Sequence, residues 1–284
     1  MKMERRVRTK HAFRKANYAA GLFGVLWLIV VALPLYYVLV TALKPQNDIF
    51  FTHPLWFSED GPYFGNFKLV VDSGFFNYLR NSIIVSFGAV IPAVLFAAMA
   101  AFPITFSKSR KANAVRLLFL QGLAVPLQAL VVPLYLIVIE LGIYDTLLAL
   151  IFPYIAVALP ISILIISNSM RDIPKELLES MRLDGASNWR IFGNLVMPLS
   201  KPALVTVGIY NAVNTWNGFL LPLVLTQSTD MRVVPLSLWN FNSEFETNVP
   251  GIVAAVIMSA IPLIVVYAFM RRQLVAGLTA GVGK

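Results

Sequence analysis

The sequence contains no cysteine, which excludes a disulfide framework and any thiolate metal site. Its two histidines, His11 and His53, lie outside the long apolar runs and are poor material for a metal centre. Charge is sparse: Asp, Glu, Lys and Arg make up 13% of the 284 residues, against 58% hydrophobic residues. A soluble domain of this length needs far more polar surface. Within the apolar runs the one charged residue is Arg116, at the end of its run. Ion-coupled carriers need intramembrane carboxylates, histidines or paired charges, and an intramembrane hydrolase or transferase needs a catalytic acid, a histidine or a metal. Neither set is present. A phosphate-cradling loop is missing as well: the ending GLTAGVGK places Leu278 where the first glycine belongs, and no strand pattern precedes it.

What is present is a series of apolar runs, with a mean hydropathy of +0.74 over the chain. Runs beyond about 18 residues read as membrane-spanning helices. The first, 18–43, follows a basic segment, but it is too long for a signal peptide's apolar region. Five more follow at 83–106, 115–139, 146–166, 203–225 and 251–270. The interval 44–80 reads as a loop with one short helix near 75–79. Prolines at 92, 103, 126, 133, 153, 160, 222 and 262 fall in the runs; they either kink the helices or open a pathway between them.

The net charge of +9 could suggest nucleic acid, but its distribution indicates topology. With six spans, nineteen Lys and Arg fall on the side of the termini and four (Lys44, Lys68, Arg80 and Arg232) on the other. The positive-inside rule puts both termini in the cytoplasm. The segment 173–198 is then cytoplasmic, and 44–80, 140–145 and 227–250 are external.

Segment 173–198, IPKELLESMRLDGASNWRIFGNLVMP, reads as a helix–glycine–helix elbow. Pro174 suits a first helical turn, with Asp172 or Ile173 at the cap. Leu177, Leu178 and Met181 form an apolar stripe, with Lys175, Glu179 and Arg182 on the other faces. Gly185 stops the first arm. Ser187 caps a second, 188–196, which Pro198 ends. An elbow pinned between two spans can be gripped from below and can move them, or it can lie at the interface as an amphipathic loop.

Here the residues resemble a family. Permeases of type I ATP-binding-cassette importers carry the motif E-A-A-x3-G-x9-I-x-L-P. This chain has Glu179-Ser180-Met181, then Gly185 after three intervening residues and, after nine more, Leu195-Val196-Met197-Pro198. Both alanines are replaced. IPKEL…E…R.DGAS.WRIF, the pair Asn81-Ser82, WNGFLLPL at 216–223 and the ending GLTAGVGK are similar to MalG-type carbohydrate permeases. The resemblance implies an all-α integral membrane protein with six transmembrane helices and a coupling elbow. It implies a division into residues 1–76 (N-terminus, first helix, first external loop), 77–272 (the importer transmembrane domain) and 273–284 (a cytoplasmic tail, flexible or in contact with a partner). It implies that Glu179, Asp184, Gly185 and Pro198 couple the chain to a separate ATPase, with Glu179 meeting a basic residue there and Asp184 bracing the turn. In those permeases the loop matching 227–250 meets the solute-binding protein, which makes Trp239, Glu244 and Glu246 candidate contacts.

In the fifth run Asn211, Asn214 and Asn217 recur every three residues and should look inward. They either bond helix to helix or, with Gln128 and Tyr135 of the third run, line a path for a hydroxyl-rich solute; Trp216 lies off that face and packs. The expectation is a multi-pass subunit in the cell membrane, forming half the pathway of an ATP-driven sugar importer. Its partners would be a second homologous permease, two nucleotide-binding ATPase subunits and an extracytoplasmic solute-binding protein. ATP and magnesium would bind the ATPase, and this chain would hold no cofactor, metal or nucleic acid and catalyse nothing itself. The alternatives are a type I importer of a non-sugar solute and a passive channel.

Overall fold

Small side chains decide which helices approach one another. The computed structural model describes residues 18–107, 109–241 and 247–279. Its central helix, α3 (Phe75–Phe106), carries Ala89, Ala93, Ala97 and Ala101, each at most 1% exposed. Residues four apart share a helix face, and in lipid a stripe of small residues lets two backbones close in. The neighbour on that face is α6 (Leu148–Met170). Gly88 extends the fit, since a methyl there would lie 2.8 Å from Ile151 Cδ1. Helix α10 (Lys201–Trp216) packs on both, α13 (Val249–Thr279) packs on α10, and α1 (Tyr18–Ala42) lies at the edge against α13. Trp27 of α1 is 70% exposed.

Four stretches are each long and apolar enough to cross a membrane: Gly21–Ala42, Phe75–Phe106, Leu148–Met170 and Val249–Phe269. The other two expected runs, 115–139 and 203–225, are not single straight helices. The run 115–139 divides into α4 (Arg110–Gly122) and α5 (Leu127–Glu140), which meet at 104°. Pro126 is the extended N-cap of α5, at φ −69° and ψ 140°. It denies helical geometry to the residue before it, so it breaks the helix where a kink was one expectation. The run 203–225 divides into α10 and α11 (Leu220–Leu225) around residues 217–219. In an unbroken helix the Pro222 ring would collide with the carbonyl of Gly218. The break removes that collision and puts Pro222 in the first turn of α11, where its missing N–H is harmless.

The interval 44–80 is more ordered than expected. It holds a short helix, α2 (Gly65–Asp72), and the helix expected near 75–79 is the start of α3. Buried Asn66 fastens α2 to the end of α1, its amide donating to the carbonyls of Ala42 and Lys44, both at 2.8 Å. The divisions expected after residues 76 and 272 both fall inside helices, α3 and α13. Three short helices, α7 (Lys175–Leu183), α8 (Asn188–Ile191) and α9 (Met197–Leu199), build the segment between α6 and α10. A further one, α12 (Val234–Ser237), lies at the opposite end of the bundle.

Candidate functional site

The elbow is built mostly from local backbone signals. Pro174, at φ −57° and ψ 132°, is the N-cap of α7 and not part of its first turn. Glu176, not Asp172, is the acidic residue in that turn, where it favours the helix dipole. The arm ends at Gly185, with φ +77°, a left-handed position that glycine adopts without a Cβ penalty. Two hydrogen bonds close the turn: Ala186 N–H donates to the Met181 carbonyl at 2.9 Å and Gly185 N–H to that of Arg182 at 3.0 Å. Ser187 caps α8 by accepting from Arg190 N–H at 3.3 Å. A π-turn, Phe192–Val196, then leads into α9. Pro198 therefore does not end the second arm. It occupies the first turn of α9, and the arm runs on to Leu199 before meeting α10 at 74°.

Both arms are anchored in one core. Leu178, Ile191 and Val196 are buried with Ile104 of α3, Ile166 and Met170 of α6 and Val207 of α10. Met181 packs against that core too, so its bulk points into the subunit. Ser180 faces out and donates to the Leu177 carbonyl at 3.0 Å. The outer surface carries Glu179 and Asp184, both exposed, and no hydrogen bond to their carboxylates is made among the described residues. The two backbone bonds, not the Asp184 side chain, brace the turn. Leu177 is 42% exposed instead of completing the buried stripe, and Leu183 (89%) and Trp189 (68%) are exposed too. The sequence reading missed Leu183 and Trp189; their signal was apolar bulk next to Arg182, Asp184 and Arg190, off the buried face.

A cleft of about 250 Å³ lies where α6 passes the break between α10 and α11. Tyr154, Tyr210, Asn211, Asn214, Thr215 and Phe219 are among its walls. Asn211 is buried and donates to Ser162 Oγ at 2.9 Å. Asn214 is exposed and donates to the Tyr210 carbonyl at 2.8 Å. Asn217 lies off the cleft and donates to the Val213 carbonyl at 3.0 Å. Gln128 is exposed beside Leu127, which does line the cleft. Tyr135 belongs to packing, meeting the Tyr144 ring edge-on at 5.6 Å. Trp216 also packs, its indole N–H donating to the Ser259 carbonyl of α13 at 3.3 Å. The sequence reading missed Tyr154, whose buried hydroxyl has no hydrogen-bond partner among the described residues. It also missed Gly218, where a methyl group would overlap the Tyr154 hydroxyl. The signal for Gly218 was its place four residues before Pro222.

At the other end of the bundle a clamp fixes the segment after α11. Asn81 Nδ2 donates to the carbonyls of Asp230 at 2.7 Å and Arg232 at 2.9 Å, and Ser82 Oγ accepts from Val234 N–H at 2.8 Å. Asp145 stands at φ +56°, and its carboxylate accepts from the N–H groups of Gln227 at 2.8 Å and Ser228 at 3.0 Å. Burial pushes the Asp145 carboxyl up, but these hydrogen bonds outweigh it and hold it below its ordinary value. Trp239 stacks on Phe219, with ring centres 5.5 Å apart and planes 13° from parallel. The clamped segment is thereby joined to the cleft wall. Glu244 and Glu246 lie outside the described residues.

Residues 91–279 match the family described as binding-protein-dependent transport system inner membrane component. A putative ABC transporter permease protein, ORF2, of Caldicellulosiruptor sp. is 36% identical, the match covering 93% of this chain and 95% of that one. The trehalose transport system permease protein SugB of Mycobacterium tuberculosis is 33% identical over 95% and 98%. The diacetylchitobiose uptake system permease protein DasC of Streptomyces coelicolor is 30% identical over 93% and 99%. Among solved structures, a chain of a bacterial ABC transporter that imports the acidic polysaccharide alginate matches with a TM-score of 0.77 and 20% identity, over 92% of this chain and 98% of that one. A chain of the MetNI methionine ABC transporter matches with a TM-score of 0.55 and 16% identity, over 74% and 97%.

Proposed function

The chain belongs to the family of binding-protein-dependent transport system inner membrane components, and from that membership we propose that it is half of the translocation pathway of an ATP-driven sugar importer. It is a multi-pass membrane protein of a transport family. The sugar assignment is supported by the relatives named for trehalose and diacetylchitobiose, and by a cleft whose amides and hydroxyls suit a polyol. The other half would be a homologous permease. A binding protein would deliver solute to the external face, and two ATPase subunits would hold ATP and magnesium. The distribution of Lys and Arg supports cytoplasmic termini and a cytoplasmic elbow.

The elbow is the observation that carries the reading. It presents Glu179, Leu183 and Trp189 outward and roots both arms in α3, α6 and α10. Exposed apolar side chains near exposed charges on a well-anchored turn are what a partner surface grips. Motion imposed there passes through the packed core to α10, at whose far end the cleft opens. The external segment reaches the same cleft through Trp239 and Phe219. Docking outside and ATP-driven closure inside would thus act on one break in the fifth span, and alternating access follows if the two bias it oppositely.

The lack of cysteine makes the test clean. A single Leu183→Cys change, labelled with a photo-crosslinker in the assembled complex, should capture an ATPase subunit. Trp239→Cys should capture the solute-binding protein. Capture of the binding protein from Leu183→Cys would invert the topology and end the coupling assignment.

A further inference from the structure

A second cleft, of about 100 Å³, lies between α4 and α6 near the elbow end of α6. Arg116 enters from α4, Ser167 and Asn168 from α6, and Arg171 from the C-cap just after α6. Among the described residues no carboxylate lines it. Ser167 is 4% exposed and its hydroxyl has no hydrogen-bond partner among the described residues; Arg116 Nε is buried and has none among them either. Asp172, next in the chain after Arg171, does not line the cleft.

Buried polar groups are normally satisfied, so each orphan needs an explanation. Arg116, half-buried, and Arg171, exposed, also put two like charges beside one small cleft, and an anion there would offset them. The donors present (guanidinium N–H groups, a hydroxyl and an amide) match an anion with several acceptor oxygens, as a phosphate has. The volume, several waters' worth at about 30 Å³ each, admits a group of that size. The surroundings indicate its source. Helix α4 turns 104° away from α5, with Arg110 and Lys111 exposed in its first turn and Leu117 and Leu118 exposed further along. A helix with basic and apolar groups so placed sits at headgroup depth, where basic pockets between membrane helices take lipid headgroups.

We infer that the cleft between Arg116, Ser167 and Arg171 binds a phosphate anion, the headgroup of an anionic phospholipid. The site would hold α4 against α6 and make the packing at the elbow sensitive to the lipid around it. It rests on the membrane setting of the family, and not on which solute is carried or what docks on the elbow.

The test is native mass spectrometry of the purified complex titrated with phosphatidylglycerol or phosphatidylcholine. The paired change Arg116→Gln and Arg171→Gln should weaken phosphatidylglycerol binding about 25-fold, roughly fivefold per basic residue at an anionic surface. It should leave phosphatidylcholine binding unchanged. Ser167→Ala, a small change that keeps the fold, should weaken phosphatidylglycerol alone. Equal removal of charge elsewhere, by Lys68→Gln with Arg80→Gln, should not weaken it. Unchanged phosphatidylglycerol binding in the Arg116 and Arg171 pair, or an equal loss in the Lys68 and Arg80 pair, overturns the site. If inorganic phosphate alone protects the detergent-solubilised complex as well as phosphatidylglycerol does, the anion is a soluble one and the lipid assignment is wrong. None of these readouts depends on transport, so this inference and the importer reading fail separately.

Discussion

Replacing Gly185 tests whether the shape of the elbow, apart from its stability, carries coupling. The residue stands at φ +77°, and a Cβ there would meet nothing within 4 Å. Substitution therefore introduces backbone strain without a clash. For an ordinary L-residue the left-handed conformation costs about 1–2 kcal/mol, and a β-branched residue is disfavoured still more. Asparagine tolerates the position better than other side chains. A local cost of that size lowers the population of the closed turn by roughly 5- to 30-fold. The core holding both arms is untouched, because Leu178, Ile191 and Val196 keep their neighbours. In proteoliposomes containing the assembled complex, ATP-driven uptake should fall in the order Gly, Asn, Ala, Val. ATP hydrolysis per solute moved should rise in the same order, with thermal unfolding shifted little. Normal coupled uptake by Gly185→Val, or Asn as damaging as Val, would refute the reasoning.

Three further predictions follow from the cleft and the clamp. Gly218→Ala should sharply reduce uptake because its methyl overlaps Tyr154, and Tyr154→Phe in the same chain should restore part of it; uptake assays on the single and double variants check this, and an unimpaired single variant contradicts it. Asn214→Ala should raise the KM for uptake without shifting the unfolding temperature, whereas Asn211→Ala, which loses a buried hydrogen bond to Ser162, should cost about 1 kcal/mol of stability as well. The Asp145 carboxyl is held below its ordinary value of 3.8, so the clamp it makes is in place above that pH and is lost as pH falls through the lowered folded value. Limited proteolysis of the segment after α11 should be flat from neutral pH down to about pH 5 and rise only in stronger acid, and Asp145→Ala should show the cleaved pattern at every pH.

Most of the elbow was legible because its signals act within a few residues: Ser187 caps a helix and Gly185 takes a left-handed conformation that favours glycine, while Pro174 stands at the cap instead of in the first turn where it was expected. Met181 was harder to place, since whether it faces the subunit or a partner depends on α3, α6 and α10, which lie far away in sequence. The asparagine series shows the limit of spacing. Each three-residue step turns the helix about 300°, so Asn217 stands about 120° away from Asn211. The shared face expected for three asparagines holds for two. The breaks at Pro126 and at residues 217–219 were hidden because hydropathy runs straight through them. Proline alone does not separate a kink from a break: Pro92, Pro103, Pro153, Pro160 and Pro262 all remain inside continuous helices. The pair Asn81-Ser82 was recognisable as family letters, but its work of holding the carbonyls of Asp230 and Arg232 and the N–H of Val234 needed the fold.

Transport by the reconstituted complex tests the central claim most directly. The chain would be purified with the partners it captures, placed in sealed vesicles, and given radiolabelled oligosaccharides on the external side. The account predicts accumulation against a gradient that requires both ATP on the elbow side and the solute-binding protein on the other, and that is abolished by Glu179→Lys while ATP hydrolysis by the complex persists. Equal flux in both directions without ATP would contradict it and make the chain a passive pathway.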